Sequence, residues 1–238
     1  MKLKRFLAAA TLATAVCVCA PQAFAAKTET FVKIEKPAAG TPVLLIKPEA
    51  DLSMLTASGV TEPKVEWSDN AEKYLAEALE AAIKARSYTT HSVPIESYQE
   101  PRAVQLVKLN TVVTSSIAMQ EWPALRLPTK TAFDWTLGEG TQVLIPQVAE
   151  GTAAPQYVIF LRATGSYSSG GRAALAVGAA LLGAGVPLGG QFVQATLVDL
   201  KTGKVVWYEF DKVPTGEDIR TPEGATATVT RLFKKLPI

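Results

Sequence analysis

Apolar and polar residues follow two different periods along the chain. Four consecutive apolar residues at 43–46 are typical of a strand buried on both faces. Residues 69–86 repeat apolar side chains at spacings of three and four, which predicts an amphipathic helix that starts near Asp69 and Glu72. Residues 102–122 have a similar period, and they predict a second helix.

The second half of the chain is dominated by strand patterns. Residues 157–164 predict a strand, and 166–171 predict a flexible polar turn. Residues 192–198 and 204–210 predict two strands joined by a tight hairpin, in which Gly203 takes the left-handed position. Thr221-Pro222-Glu223 is a helix start, with an N-cap followed by a proline in the first turn.

The remaining segments are less regular. We expect 26–42 to be a linker with one short strand, 51–67 to be irregular, 92–98 to be a strand and a short helix to start at Thr141. Along the chain, the predicted strands alternate with the predicted helices. The sequence therefore predicts a single α/β domain over 43–238, in which helices cover a mixed sheet.

The N-terminus has the features of a secretory signal peptide. Lys2, Lys4 and Arg5 precede an apolar stretch of about 15 residues, which is shorter than the ~20 that span a membrane. The small-x-small triplet ending at Ala25 predicts cleavage there, with 1–25 as the leader and the periplasm as the destination.

Both cysteines, Cys17 and Cys19, lie within this leader. Lipid attachment to one of them would give an outer-membrane lipoprotein. Each cysteine follows a valine, however, where lipoprotein signals have a small residue, so this alternative is less favoured. After cleavage after Ala25 the chain has no cysteine and no thiol chemistry.

Removal of the leader also changes the charge. Three of the 24 Lys and Arg residues lie in it, which leaves 21 against 22 Asp and Glu, a net charge of −1. A chain so close to neutral lacks the basic field of nucleic-acid-binding proteins, and we expect no nucleic-acid partner.

The hairpin and the order of elements resemble a known family. Val198-Asp199, Thr202-Gly203 and Val205-Val206-Trp207 are similar to the penultimate hairpin of CsgG and TolB N-terminal-like envelope domains. The likeness spans about 43–236, and it includes a proteobacterial branch with segments like 166–187. It implies a TolB-N-like sandwich, resembling the anticodon-binding fold, in an envelope accessory protein that works by binding or assembly without catalysing a reaction.

No residue pattern marks a catalytic, cofactor or metal site. His91 is the only histidine, the glycines near Glu139 do not form a phosphate loop, and no G-x-S-x-G surrounds Ser166, Ser168 or Ser169. We expect no cofactor and no bound metal. The alternative is an exported hydrolase of unknown substrate, which would require Asp134, Ser168 and His91 to converge.

The segment 173–198 contains no charged residue, although strands flank it. The favoured interpretation of its first part is a Gly/Ala-rich helix buried on the sheet. A partner or oligomer contact is a second interpretation, and a membrane-touching loop over 173–190 is a third. The candidate interaction residues are Ser166, Tyr167, Ser168, Arg172, Leu175, Val177, Leu181, Leu182, Val186 and Leu188.

Taken together, these features favour a non-enzymatic periplasmic accessory protein of the cell envelope. It would bind an envelope protein or associate with itself. Besides the hydrolase, a membrane-associated oligomer or pore component is a further alternative. The sequence does not indicate a small-molecule ligand.

Overall fold

The computed structural model describes residues 27–122, 124–130, 132–146 and 153–238. It confirms the α/β class, with eight strands in one mixed sheet and four helices. The strands are β1 (Lys27–Thr30), β2 (Pro42–Ile46), β3 (Glu49–Leu55), β4 (Thr61–Pro63), β5 (Thr89–Val93), β6 (Tyr157–Ser168), β7 (Gly189–Asp199) and β8 (Val205–Lys212). The helices are α1 (Val65–Lys84), α2 (Pro101–Glu121), α3 (Gly170–Leu181) and α4 (Pro222–Leu232).

Strand β6 is the centre of the sheet, whose order is β1-β8-β7-β6-β2-β5. Its 12 residues pair antiparallel with β7 along almost their whole length. On its other edge β6 pairs in parallel first with β2 and then with β3, which continue one another across Lys47-Pro48. Strand β4 pairs with the end of β3, and β5 pairs with β2.

Helices cover both faces of this sheet. Alternate residues of β6 point to opposite sides, so Ile159 belongs to one core and Phe160 to the other. Helices α1 and α4 pack on the Ile159 side. Helix α2 and the short 3-10 helix Thr141–Leu144 pack on the Phe160 side.

Local signals in the sequence explain several of these elements. Thr221 caps α4, because its side chain accepts a hydrogen bond from the Gly224 amide at 3.2 Å. Gly203 has φ of +71°, and a Cβ at this position would lie 2.0 Å from the Gly138 carbonyl oxygen. The left-handed conformation and the close approach both require glycine there, as the hairpin pattern predicts.

Three local predictions are wrong. Residues 51–67 are not irregular, because β3 and β4 form a hairpin there and α1 already begins at Val65 rather than at Asp69. The strand expected over 92–98 is β5, which lies earlier and is followed by a 3-10 turn. The expected polar turn at 166–171 is the end of β6 and the start of α3, since β3 and β7 both pair there.

The segment 26–42, expected to be a linker with one short strand, contributes β1 to the sheet. Thr28 pairs with Glu209 of β8, and its hydroxyl donates a hydrogen bond to the Glu209 carboxylate. The proposed leader, with Ala25 and both cysteines, lies outside the described residues.

Glu209 gives a testable pH dependence. The residue is 4% exposed, and burial raises the pKa of its carboxyl, while the hydrogen bond from Thr28 and the charge of Lys235 lower it. The folded state therefore favours the protonated acid, and stability is lost as the pH rises through the folded-state pKa. We expect Glu209→Gln to unfold at a higher temperature than the wild type at pH 7, and this difference to shrink toward about pH 4.

Circular-dichroism melts across this pH range measure the effect. Glu77→Gln, on the exposed face of α1, is the matched control and should leave the pH profile unchanged. An equal or lower melting temperature for Glu209→Gln at pH 7 would contradict the assignment.

Candidate functional site

The connection between β6 and β7, residues 169–188, is here called the α3 loop. It contains helix α3, which projects from the end of the sheet at Ser168 and Gly189. Its large apolar side chains face outward: Leu181 is 84% exposed, Leu182 88% and Val177 66%. Leu175 and Leu188 are also exposed, while Val186 is half-buried.

The favoured interpretation of this segment as a helix buried on the sheet is therefore wrong. Arg172 is the buried residue of α3, and Ala176 and Ala179 are half-buried. These three positions follow a spacing of four and three residues, so they mark one narrow face turned toward the protein. At 100° per residue, the exposed positions cover more than half of the helix circumference.

Hydrogen bonds, most of them partly buried, hold the base of the α3 loop. The Arg172 guanidinium donates to the carbonyl oxygens of Pro187 at 2.7 Å and Thr56 at 3.3 Å. Ser169 caps α3 by accepting from the Arg172 amide, and the Ser168 hydroxyl donates to the Leu188 carbonyl. Arg172 and Ser168, both predicted to contact a partner, thus position the loop.

Tyr167 anchors the end of β6 through contacts on the side of the sheet that α1 covers. Its hydroxyl donates to the Asp218 carboxylate at 3.0 Å, and its ring packs edge-on against Trp67. The Arg220 guanidinium lies 3.7 Å from the Tyr167 ring centroid and forms two hydrogen bonds to Asp218. Burial raises the pKa of Tyr167, and the charge of Asp218 adds to this, so the hydroxyl stays protonated.

The strands that carry the loop approach each other very closely. A Cβ on Gly165 would lie 2.2 Å from the Gly190 carbonyl oxygen, so a side chain cannot fit between β6 and β7 at this point. Ser166 sits beside it, and its carbonyl accepts from the Gln191 side chain. The loop therefore leaves a tight, rigid strand pair.

Other exposed apolar side chains lie toward the same end of the sheet. Val60 is in the β3–β4 turn, next to the Thr56 carbonyl that binds Arg172. The last turn of α2 and the residues after it expose Met119, Trp122, Leu125 and Leu127. We refer to these four side chains as the α2-end surface. No sequence pattern singled it out, because its four residues have no regular spacing.

The structure does not bring the predicted hydrolase residues together. His91 pairs through Leu44 with Val158 of β6, and Ser168 is ten residues further along that strand, about 33 Å away at ~3.3 Å per residue. Asp134 binds Lys204 at 3.2 Å, beside the β7–β8 turn. That turn adjoins the Tyr157 end of β6, opposite Ser168.

Within the residues that the structure describes, no three His, Cys, Asp or Glu side chains are grouped so that they could hold a metal ion. None of the helices described is both long enough and apolar enough to cross a membrane.

No protein-family model matches the chain, and no curated protein matches it. The resemblance to CsgG and TolB-like domains therefore stays a prediction. Among solved structures, the chain is similar to the PelC dodecamer from Paraburkholderia phytofirmans, at 13% identity over 90% of this chain and 98% of that one, with a TM-score of 0.36.

It is also similar to a protein described as a neuraminyllactose-binding hemagglutinin homolog from Helicobacter pylori. The identity is 7% over 86% of this chain and 91% of that one, and the TM-score is 0.38. Because both scores are below 0.5, nothing about the partners or activity of this chain is inferred from either protein.

The hydrogen bonds of Arg172 lead to a prediction about the base of the loop. In Arg172→Met the apolar stem remains, but both bonds to carbonyl oxygens are lost. We expect faster amide hydrogen exchange at 56–60 and 183–188, with exchange in the β6–β7 ladder unchanged.

Arg102→Met is the matched control, since this exposed arginine makes one long contact, 3.5 Å, to the Glu139 carbonyl. Unchanged exchange at both segments in Arg172→Met would show that the arginine does not hold the loop.

Proposed function

We propose that this protein works in the cell envelope by assembly, and that the α3 loop is its contact element. The observation that supports this is the exposure of helix α3, whose one charged residue, Arg172, is buried and whose large apolar side chains point outward. Burying a leucine side chain contributes about 1.5–3 kcal/mol, so leaving Leu181 and Leu182 in water forgoes a large stabilisation. Contiguous exposed apolar surface of this kind is typical of interaction sites.

The partner that covers the α3 loop is a second copy of the chain. More than half of the circumference of α3 is exposed, so the helix offers a wide apolar surface to a partner. Residues 173–198 offer no charge to a charged partner. The α2-end surface of another copy is apolar as well, and it provides a matching contact for the loop.

Such a contact joins two different surfaces, the α3 loop of one copy and the α2-end surface of the next. Made in one direction between successive copies, this contact is heterologous and leads to a closed ring or an open filament; exchanged reciprocally between two copies, it leads to a two-fold dimer. The anchoring of Arg172 and Tyr167 supports this role, because a contact element held in one orientation loses less conformational entropy on binding.

Protein contact is favoured over a membrane contact by the charges of the loop. Interfacial helices that bind anionic lipid carry Lys and Arg on a polar face. The one charged residue of α3, Arg172, is buried and bound to carbonyl oxygens.

The assembly proposal predicts that Leu181→Glu prevents self-association. Sedimentation velocity over a range of concentrations would show oligomers for the full chain recovered from the envelope, and monomers for the variant. Val65→Glu is the control, because this residue is also exposed, at 73%, but lies outside the α3 loop. It should assemble like the wild type.

Two results would overturn the proposal. One is a wild type that stays monomeric at every concentration. The other is a monomer that co-sediments with lipid vesicles through Leu181, which would establish the membrane alternative. Both are measured with the same three proteins.

We also propose that the chain is exported and processed. We expect the protein purified from the periplasm to start at Ala26, because the Ala-Phe-Ala triplet suits the ordinary signal peptidase. Intact-mass spectrometry would check this. A mass that includes a lipid on Cys17 or Cys19 would instead identify a lipoprotein.

A further inference from the structure

Three side chains from three elements enclose the guanidinium of Arg220, which lies in the turn before α4. Its central carbon is 3.7 Å from the centroid of the Tyr167 ring of β6 and 4.4 Å from that of the Trp67 ring of α1. The two rings meet edge to face, with 5.7 Å between their centroids. Together with the Asp218 carboxylate they form the walls of what we call the Arg220 cage.

Asp218 binds the cation within this cage. Its carboxylate accepts hydrogen bonds from Nε of Arg220 at 2.9 Å and from Nη2 at 2.8 Å. It also accepts from the Arg220 amide and from the Tyr167 hydroxyl, both at 3.0 Å. The hydrogen bonds from the Arg220 side chain are the largest cause that lowers the pKa of Asp218, so the carboxylate is ionised at neutral pH.

The shape of the cage suits a guanidinium group. Nε and Nη2 of Arg220 donate to the two different oxygens of Asp218, which is the forked contact of a guanidinium edge with a carboxylate. The flat face of the same group is free to pack on aromatic rings. An ammonium group has neither the fork nor the face, so it cannot make both contacts at once.

The cage adjoins both ends of the α3 loop. Tyr167 pairs with Gly189, and this is the last register pair of the β6–β7 ladder before the loop. A Cβ on Gly189 would lie 2.7 Å from the Ser166 carbonyl oxygen, so the two strands are in close contact here. A side chain that fixes Tyr167 therefore fixes the point from which the loop leaves the sheet and to which it returns.

The turn that carries Arg220 is itself held in place. The Thr221 amide donates to the Asp218 carbonyl at 3.0 Å. A Cβ on Gly224, in the first turn of α4, would lie 2.1 Å from that same carbonyl oxygen. Because α4 packs against α1 in the core, the turn gives Tyr167 a fixed support.

From these contacts we propose that Trp67, Tyr167 and Asp218 form a guanidinium-binding site, that Arg220 is its resident ligand, and that this ligand orients the α3 loop. Arg220 acts as a positioning residue, since it reaches the loop only through Tyr167. The importance of this orientation for assembly rests on the proposed function, whereas the binding site does not.

The test is amide hydrogen exchange of the full chain, measured in the Leu181→Glu background so that self-association does not contribute. Arg220→Ala should exchange about tenfold faster at 166–168 and 189–191, because the hydrogen bonds of a charged group are lost. Millimolar methylguanidinium, which fits the vacated cage, should restore slow exchange, and methylammonium at the same concentration should not. Arg102→Ala, which removes an exposed arginine, is the control and should behave like its parent with both ions.

Arg220→Lys retains a positive charge beside Asp218, and it replaces the alanine variant if that variant does not fold. We expect exchange at the loop ends to stay faster than in the parent, since the fork is absent. Parental exchange in Arg220→Lys, or equal effects of the two ions on Arg220→Ala, would overturn the guanidinium site. Faster exchange confined to 214–224 would overturn the positioning role.

Sedimentation velocity without the Leu181→Glu change then connects the cage to assembly. Arg220→Ala should self-associate more weakly than the wild type, and methylguanidinium should restore the association. Unchanged association despite faster exchange at the loop ends would contradict the orienting role. A wild type that does not associate would instead refute the proposed function, and the exchange results would still decide whether the cage binds a guanidinium.

Discussion

The pairing of β6 on both of its edges is the constraint on which the rest of the structure depends. Eleven register pairs join it to β7, and β2 and β3 together occupy its other edge. Strand β6 is thereby paired on both edges at 157–159 and again at 162–167, and the side chains of Val158, Ile159 and Phe160 are buried between the helices on its two faces. The helices pack on the two faces of the sheet to either side of this strand.

The lengths of β6 and of helices α1 and α2 determine how far the helices cover the sheet. Twelve strand residues extend about 40 Å, whereas the 20 residues of α1 and the 21 of α2 extend about 30 Å each. Strand β6 is longer than either of these helices, and Trp67 of α1 covers it as far as Tyr167, next to its Ser168 end. The α3 loop emerges from this end, so its exposure follows from the geometry of the layers as well as from its own sequence. The interruption at Lys47-Pro48 has a similar effect on the edge, because proline has no amide to donate to a ladder.

The sequence predicted the parts of the fold that local patterns control. The run at 43–46, the stripe along α1, the glycine of the hairpin and the cap at Thr221 each correspond to an element of the structure. Strand β3 was missed because Gly59 and Pro63 suggested broken structure, although they lie in and after its turn. The burial of α3 was predicted wrongly because apolar composition indicates that a segment avoids water, without indicating whether its own chain or another provides the cover.

The charged cleft beside Lys47-Pro48 could not be predicted for a different reason. Its charged residues come from five separate elements, and only the tertiary fold brings Glu72, Lys108 and Arg162 to one cleft. Strand β3 links this cleft to the α3 loop: Glu49 and Asp51 line the cleft, and the carbonyl of Thr56, just after the strand, accepts a hydrogen bond from Arg172. A strand paired with β6 along its length has one arrangement, and coupling between sites needs an element with two. Both surfaces are therefore carried by one strand, which pairs with β6 along its whole length.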